Sequence, residues 1–176
     1  MHHPDKNSVA LAGEFAVLSQ LALRSLNPSM TLGHTKGVDI LVSNPKTKKM
    51  CRVEVKTKYR DSDKQGTNSE IHGFVIGNWM MAKEHEKVSE PHLFYCFVMF
   101  LATEKRFRFF VLPSKVVASY LWDEHRHWLK EKRKRGEKIN NTEMRTFRLG
   151  FKNKRYAVPT PLVEEYENRW QLIGAG

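Results

Sequence analysis

Three ionisable residues, Asp39, Glu54 and Lys56, lie in two runs of β-branched residues that a polar, proline-containing turn separates. This pattern predicts a β-hairpin, whose alternate side chains point to opposite faces. If the hairpin closes over Lys46 and Thr47, Asp39 lies directly opposite Glu54, and Lys56 shares their face. Two carboxylates this close repel each other unless a positive charge lies between them, and Mg²⁺ prefers such oxygen ligands. The pattern therefore predicts a divalent-metal site beside a lysine that could orient a water or stabilise charge on a phosphate.

The same three residues have a simpler interpretation as a surface hairpin with a cross-strand salt bridge. An Asp that is followed by Glu-x-Lys on a strand is a common arrangement, so the spacing alone does not choose between the two. The simpler interpretation describes a basic structural protein and predicts no metal affinity.

A further carboxylate, Glu14, lies in a helix that we predict over residues 8–26. Ser8 is a suitable N-cap, and Asn27-Pro28 is expected to end the helix. Glu14 falls on or beside the apolar stripe, where a carboxylate is costly unless it is paired or bound to a ligand. It is therefore a candidate third acidic group, although a Glu at the stripe edge that reaches water is the alternative.

Val38-Asp39, followed by Glu54-Val55-Lys56, resembles the motif of the PD-(D/E)XK nuclease superfamily, which includes restriction endonucleases and archaeal Holliday junction resolvases. Such proteins open with a helix that carries a glutamate, and Gly13-Glu14 matches that position. The resemblance is specific over residues 8–60 and only suggestive afterwards. Val38 stands where the motif's name has proline, a residue that carries no chemistry.

The resemblance implies a metal-dependent DNA endonuclease that hydrolyses phosphodiesters to 5′-phosphate and 3′-hydroxyl ends. It implies that Asp39 and Glu54 bind Mg²⁺, or Mn²⁺, together with the backbone carbonyl of Val55. Lys56 would position the attacking water and stabilise the pentavalent phosphate, and Glu14 would assist as an outer acidic group. Restriction, repair and junction resolution all stay open. The alternative is a nucleic-acid-binding protein that keeps the fold without cleaving, and the intact Asp, Glu and Lys argue against it.

Composition agrees with a nucleic-acid partner. The chain has 30 Lys and Arg residues against 19 Asp and Glu, a net charge of +11, and this excess favours a polyanion, although a solvated basic surface is the alternative. Its 176 residues predict a single domain over 1–176. Two distant cysteines, Cys51 and Cys96, fit a reducing cytoplasm. We expect no membrane span and no signal peptide, and the oligomeric state stays open, a homodimer included.

Basic residues concentrate in two regions. Seven Lys or Arg and one Glu lie between Lys46 and Arg60, and residues 130–138 hold six basic and two acidic side chains. A solvated surface explains the second region equally well. The residues that we expect to contact the DNA backbone are Lys36, Lys58, Arg60, Lys132, Arg133, Lys134 and Arg135.

The elements that must position these residues follow from periodicity. Residues 93–101 are continuously apolar, which predicts a strand covered on both faces. The other predicted elements are a helix at 78–87, a strand at 107–112, a helix from 113 to 129, a hairpin of 144–149 with 156–158, and a closing helix at 161–172. This order predicts an α/β fold, a restriction endonuclease-like three-layer sandwich with a central mixed β-sheet flanked by helices.

Overall fold

The computed structural model describes residues 4–31, 37–61, 77–140, 142–150 and 157–174, so Lys36 and Tyr156 lie outside the described residues. Contacts divide the described residues into two compact units. The first contains 4–31, 37–61, 90–113 and 166–174, and the second contains 77–89, 114–140, 142–150 and 157–165. The single domain over 1–176 stays a prediction. No helix of the described residues is long and apolar enough to cross a membrane.

The elements in chain order are α1 (Lys6–Ala22), β1 (Asn27–Met30), β2 (Ile40–Ser43), β3 (Met50–Arg60), β4 (Gly77–Ala82), a 3₁₀ helix (Lys83–Lys87), β5 (Leu93–Leu101), β6 (Arg106–Pro113), α2 (Ser114–Lys134), β7 (Met144–Leu149), α3 (Val163–Tyr166) and α4 (Gln171–Gly174). They form a mixed α/β fold with a five-stranded mixed sheet. The three-layer arrangement stays a prediction.

Helix α1 begins earlier than its sequence predicts. The N-cap is Asp5, whose carboxylate accepts the backbone N–H groups of Asn7 and Ser8, so Ser8 is not the cap. The helix ends at Ala22, before the predicted end at residue 26, because Ser25 adopts a positive φ of 59° and Asn27 starts β1.

The five strands of the first unit lie in the order β1-β2-β3-β5-β6, with β3 and β5 parallel and the other pairs antiparallel. In the hairpin Ile40 pairs with Val53, which confirms the predicted register of the paired residues. Asp39 lies one residue before this paired segment and donates its backbone N–H to the Val53 carbonyl. β5 is buried along nearly its whole length, as the apolar run predicts. β3 is the central strand and is hydrogen-bonded to a strand on each side, so Glu54 and Lys56 lie on a rigid part of the sheet.

Apolar side chains from α1 and the sheet form one core in the first unit. Val17 and Leu21 of α1 are fully buried and belong to the same cluster as Val53, Val55 and Val98. The helix therefore covers the face of β3 that carries Val53 and Val55. This packing fixes α1 against the strand that holds Glu54.

The second unit corrects two predictions. Residues 77–82 form β4, not the start of a helix, and β4 pairs with β7. Trp79 and Met81 are buried while Met80 is exposed, so burial has the two-residue period of a strand. β7 finds its partner in β4. Of the predicted partner strand at 156–158, the described residues 157–158 form a bend.

The predicted closing helix at 161–172 is also wrong, because it is two short helices, α3 and α4. Asn168 has a positive φ of 54° and donates its backbone N–H to the Phe109 carbonyl at 2.9 Å. Glu167 forms a β-bridge with Phe110, and its carboxylate binds Arg108 with distances of 2.7 and 2.9 Å. Pairing with β6 thus interrupts the helix between Tyr166 and Gln171.

Candidate active site

Asp39 occupies the last position before β2 and reaches across to β3. Its backbone N–H donates to the Val53 carbonyl at 3.0 Å, and its Oδ2 accepts the Val55 N–H at 2.6 Å. β2 begins only at Ile40, so the Asp39 carboxylate satisfies a main-chain donor that lies beyond the paired residues of the hairpin. Asp39 is therefore fixed to β3 by its backbone and by its side chain.

Glu54 is a buried carboxylate, with 3% of its surface exposed. Its Oε1 lies 2.6 Å from the Lys56 Nζ, and Tyr95, its neighbour on β5, is hydrogen-bonded to it. Burial, together with the negative charge of Glu54, raises the pKa of Tyr95, so Tyr95 stays a neutral donor. A buried charge needs such partners, and here they also fix its orientation.

Gly13 allows α1, which carries Glu14, to approach β3 closely. A Cβ at Gly13 would lie 1.8 Å from the Thr57 Oγ1, a distance that no side chain can occupy. Burial raises the pKa of Glu14, the negative charge of Asp39 raises it further, and Lys56 opposes them. The structure thus places Asp39, Glu54 and Lys56 together at β3, and Glu14 lies near enough for the charges of Asp39 and Lys56 to act on it.

The site is rich in negative charge. Burial raises the pKa of Asp39 and Glu54 adds to this effect, while the Val55 N–H and Lys56 oppose it. Carboxylate oxygens at this density suit a hard divalent cation. However, the described residues contain no group of three or more His, Cys, Asp or Glu side chains arranged to hold a metal. Asp39 and Glu54 therefore fit such an ion by donor type, as an incomplete set of ligands.

The basic residues predicted to contact DNA fall in both units. Lys58 and Arg60 follow Lys56 on alternate positions of β3, in the same unit as the carboxylates. Burial lowers the pKa of Lys58, and the charge of Arg60 lowers it further. A half-buried ammonium with a lowered pKa is one that a nearby phosphate would stabilise.

The run Lys132–Arg135 at the end of α2 is partly neutralised within the second unit. Glu137 forms ion pairs with Lys132 and Arg135, and Glu131 accepts Lys134 at 2.9 Å. Arg133 forms no ion pair with any described residue. The role of this run in DNA binding stays a prediction. Arg133 is the member of the run whose charge no carboxylate of the described residues pairs.

Sequence reasoning missed Tyr95, which contacts the candidate catalytic Glu54. The sequence shows a single Tyr within an apolar strand, a pattern typical of an ordinary core residue. Only the parallel register, in which Glu54 pairs with Tyr95, brings the hydroxyl to the carboxylate.

Replacing Asp39 with Asn is expected to stabilise the metal-free protein at neutral pH by roughly 1 kcal/mol, because water and Lys56 screen the repulsion. A raised pKa means that the folded state binds the proton more tightly, so this acid lowers stability as pH rises through the raised pKa. The ordinary pKa of an Asp carboxyl is about 4, so well below that pH Asp39 is protonated in both states. The stabilisation by Asp39→Asn should therefore vanish there. Urea unfolding in chelator across this range measures it. Asp123→Asn, on the exposed surface of α2, is the matched control. A variant less stable than wild type at pH 7 would contradict the argument.

No known protein family and no curated protein matches the sequence. Among solved structures, the bacterial homing endonuclease I-Ssp6803I is similar in fold, with a TM-score of 0.52 and 13% sequence identity. The match covers 99% of this chain and 95% of that protein. At this identity the likeness concerns the fold alone, and the chain therefore has an endonuclease-like α/β fold.

Proposed function

We propose that this protein is a metal-dependent DNA endonuclease that hydrolyses phosphodiester bonds by the chemistry of the PD-(D/E)XK superfamily. The observation that carries the proposal is the clustering of two carboxylates and a lysine at β3. Asp39 accepts the Val55 N–H at 2.6 Å, and the Lys56 ammonium lies 2.6 Å from the carboxylate of Glu54. The endonuclease-like fold and the net charge of +11 support DNA as the substrate.

Asp39 and Glu54 would hold Mg²⁺ or Mn²⁺ with the backbone carbonyl of Val55, and the bound ion would supply Lewis acidity at the phosphate. Glu54 is suited to this role because Tyr95 and Lys56 fix its carboxylate in a buried position. Lys56 presents a positive charge with three N–H donors, which can orient a water and stabilise charge that develops on phosphate oxygens.

Glu14 would act at the edge of the site. Burial and the charge of Asp39 raise the pKa of Glu14, which makes its carboxylate a stronger base than an ordinary glutamate. Such a carboxylate can accept a hydrogen bond, and then a proton, from a water beside the phosphate.

A second candidate function is DNA binding without cleavage. It is favoured by one observation, that Lys56 already engages a Glu54 oxygen while the described residues hold no ready group of three ligands. The two candidates agree on DNA binding and differ only in hydrolysis.

A cleavage assay separates them. Supercoiled plasmid, single-stranded and branched DNA are incubated with the protein in Mg²⁺, in Mn²⁺ and in chelator. We expect nicked or linear products only with metal, and phosphatase treatment should be required before their 5′ ends accept a labelled phosphate. Binding of all three substrates without any product would establish the second candidate.

Metal binding has a readout that does not depend on cleavage. Because an ion bound to the folded state stabilises it by mass action, saturating Mg²⁺ or Mn²⁺ should raise the free energy of unfolding of wild type by about 2.7 kcal/mol at 100 times its Kd. Asp39→Asn should show little of this rise, while the control Asp123→Asn should show all of it. Equal metal-dependent stabilisation of wild type and Asp39→Asn would exclude Asp39 as a ligand.

A further inference from the structure

One face of α2 carries aromatic and basic side chains that the proposed active site does not use. Trp122, Arg126, Lys130 and Arg133 follow one another at intervals of four, four and three residues, so they line one side of the helix. We call these four residues the α2 stripe. Its indole is 44% exposed, and its three basic side chains are exposed.

The charge of the α2 stripe is not neutralised within the described residues. Arg126 lies over the Trp122 ring, with its Cζ 5.3 Å from the ring centroid. No carboxylate of the described residues forms an ion pair with Arg126, Lys130 or Arg133. The stripe thus differs from the neighbouring Lys132, Lys134 and Arg135, which Glu131 and Glu137 pair.

The α2 stripe lines a groove of about 670 Å³ within the second unit. Glu86 and Arg145 also line the groove, and they form an ion pair whose side chains are 8% and 6% exposed. Arg145 donates further to the carbonyls of Thr142 at 2.7 Å and Met144 at 3.0 Å. This fixed pair adds no net charge, so the basic side chains of the stripe determine the positive charge of the groove.

We propose that this groove binds a single-stranded segment of DNA, with an unpaired base stacked on Trp122 and phosphates bound by Arg126, Lys130 and Arg133. Aromatic rings beside a row of cations are the features that hold single strands, because every base has a π face and every link a phosphate. Bases inside a duplex are already stacked and cannot reach the indole. The inference rests on the proposed function, which supplies DNA as the polymer.

The dimensions fit a short segment. Arg126 and Arg133 are seven residues apart on α2, which corresponds to about 10 Å along the axis at 1.5 Å per residue. At roughly 3.4 Å per nucleotide along a strand, the cations span about three nucleotides. Because Arg126 covers one face of the indole, a base stacks on the other face.

The test uses the whole 176-residue chain with Glu54→Gln, so that no substrate is cleaved. Binding of a fluorescently labelled single strand, and of a duplex of the same sequence, is followed by anisotropy. Trp122→Ala should weaken single-strand binding by about tenfold or more and duplex binding much less. Trp122→Phe should retain most of the affinity, because it keeps a ring. Since Trp122 is exposed, circular dichroism should show both variants folded.

Charge is tested by two matched triple variants on the same helix. Changing Arg126, Lys130 and Arg133 to Gln should reduce the slope of log affinity against log salt by about 2, because each lost phosphate contact removes about 0.7. The control changes Lys132, Lys134 and Arg135 to Gln, and it should alter the slope less because Glu131 and Glu137 already pair these residues.

The proposal is overturned if Trp122→Ala leaves single-strand binding unchanged, or if it weakens duplex binding equally. It is also overturned if sedimentation shows self-association that Trp122→Ala abolishes, since the groove is then a protein interface. If wild type cleaves DNA and Trp122→Ala binds the single strand as tightly as the protein with Trp122 does, the proposed role of the groove is excluded and the proposed function still holds. If single-strand binding depends on Trp122 but wild type cleaves no DNA, the proposed role of the groove holds and the proposed nuclease function is excluded.

Discussion

Glu54→Gln is expected to lower the rate of DNA cleavage by roughly a thousandfold or more while DNA binding changes little. The change removes one charge from the site but keeps the size of the side chain and an oxygen for Tyr95. Affinity for DNA should persist because the basic side chains of β3 and α2 are untouched. Single-turnover cleavage of plasmid in Mg²⁺, with anisotropy for binding, measures both quantities.

Two further variants sharpen this test. Lys56→Met should lose cleavage too, but it should also lower the free energy of unfolding, because the buried Glu54 loses the cation 2.6 Å away. Glu165→Gln removes the same charge from an exposed position and should cleave at the wild-type rate. Cleavage by Glu54→Gln at the rate of Glu165→Gln would remove the proposed site.

Gly13→Ala is expected to lower the free energy of unfolding by about 2–3 kcal/mol, as overpacking of a close interface does. Helix propensity alone predicts the opposite sign, since Ala stabilises a helix interior by about 1 kcal/mol relative to Gly. The added Cβ would lie 1.8 Å from the Oγ1 of Thr57 and 2.8 Å from its Cβ, so α1 must move away from β3. That movement also withdraws Glu14, so cleavage should fall.

A double-mutant cycle tests the cause. Thr57→Ala removes the hydroxyl that makes the closest contact, so Gly13→Ala should cost less in that background than in wild type. Ser19→Ala, at an exposed position of the same helix, reports propensity alone and should be nearly neutral or slightly stabilising. Denaturant unfolding of wild type, the two single variants Gly13→Ala and Thr57→Ala, and their double variant gives the coupling energy. A Gly13→Ala protein as stable as wild type would refute the close contact.

The hairpin could be predicted because its information is local. Alternation, a polar turn and two β-branched runs define both the faces and the register, and the observed pairing of Ile40 with Val53 follows. β5 was equally readable, because a strand buried on both faces is apolar throughout. Asp39, Glu54 and Lys56 belong to the hairpin, whose register the sequence predicts, and their proximity was predictable for that reason.

The elements that were wrong depend on distant partners. Residues 77–82 contain residues that a helix accepts, and only β7, more than sixty positions later, makes them a strand. The break in the closing helix requires the edge of β6, which pairs with Glu167. The contact between Tyr95 and Glu54 could not be predicted either, because it depends on how β5 pairs with β3. The register of two parallel strands is set by the connection that joins them, which the sequence of each strand does not show.

A count of consecutive charges does not show which basic side chains stay unpaired in the fold. The run at 130–138 has the largest local excess in α2 and its exit, yet Glu131 and Glu137 pair three of its cations. Arg126 is isolated in the sequence, and helical geometry aligns it with Lys130 and Arg133. The consecutive run and the aligned stripe therefore differ in how much of their charge stays unpaired among the described residues.

The hydrogen bond from the Val55 amide to Asp39 makes this one amide a reporter of the site. Most amides of the central strand are held by neighbouring strands, so their exchange with solvent deuterium requires loss of the sheet. The Val55 amide is held by a side chain, at 2.6 Å, and rotation of the Asp39 carboxylate is enough to expose it. Its exchange rate, relative to that of Val53, therefore measures how often the Asp39 carboxylate leaves its place on β3.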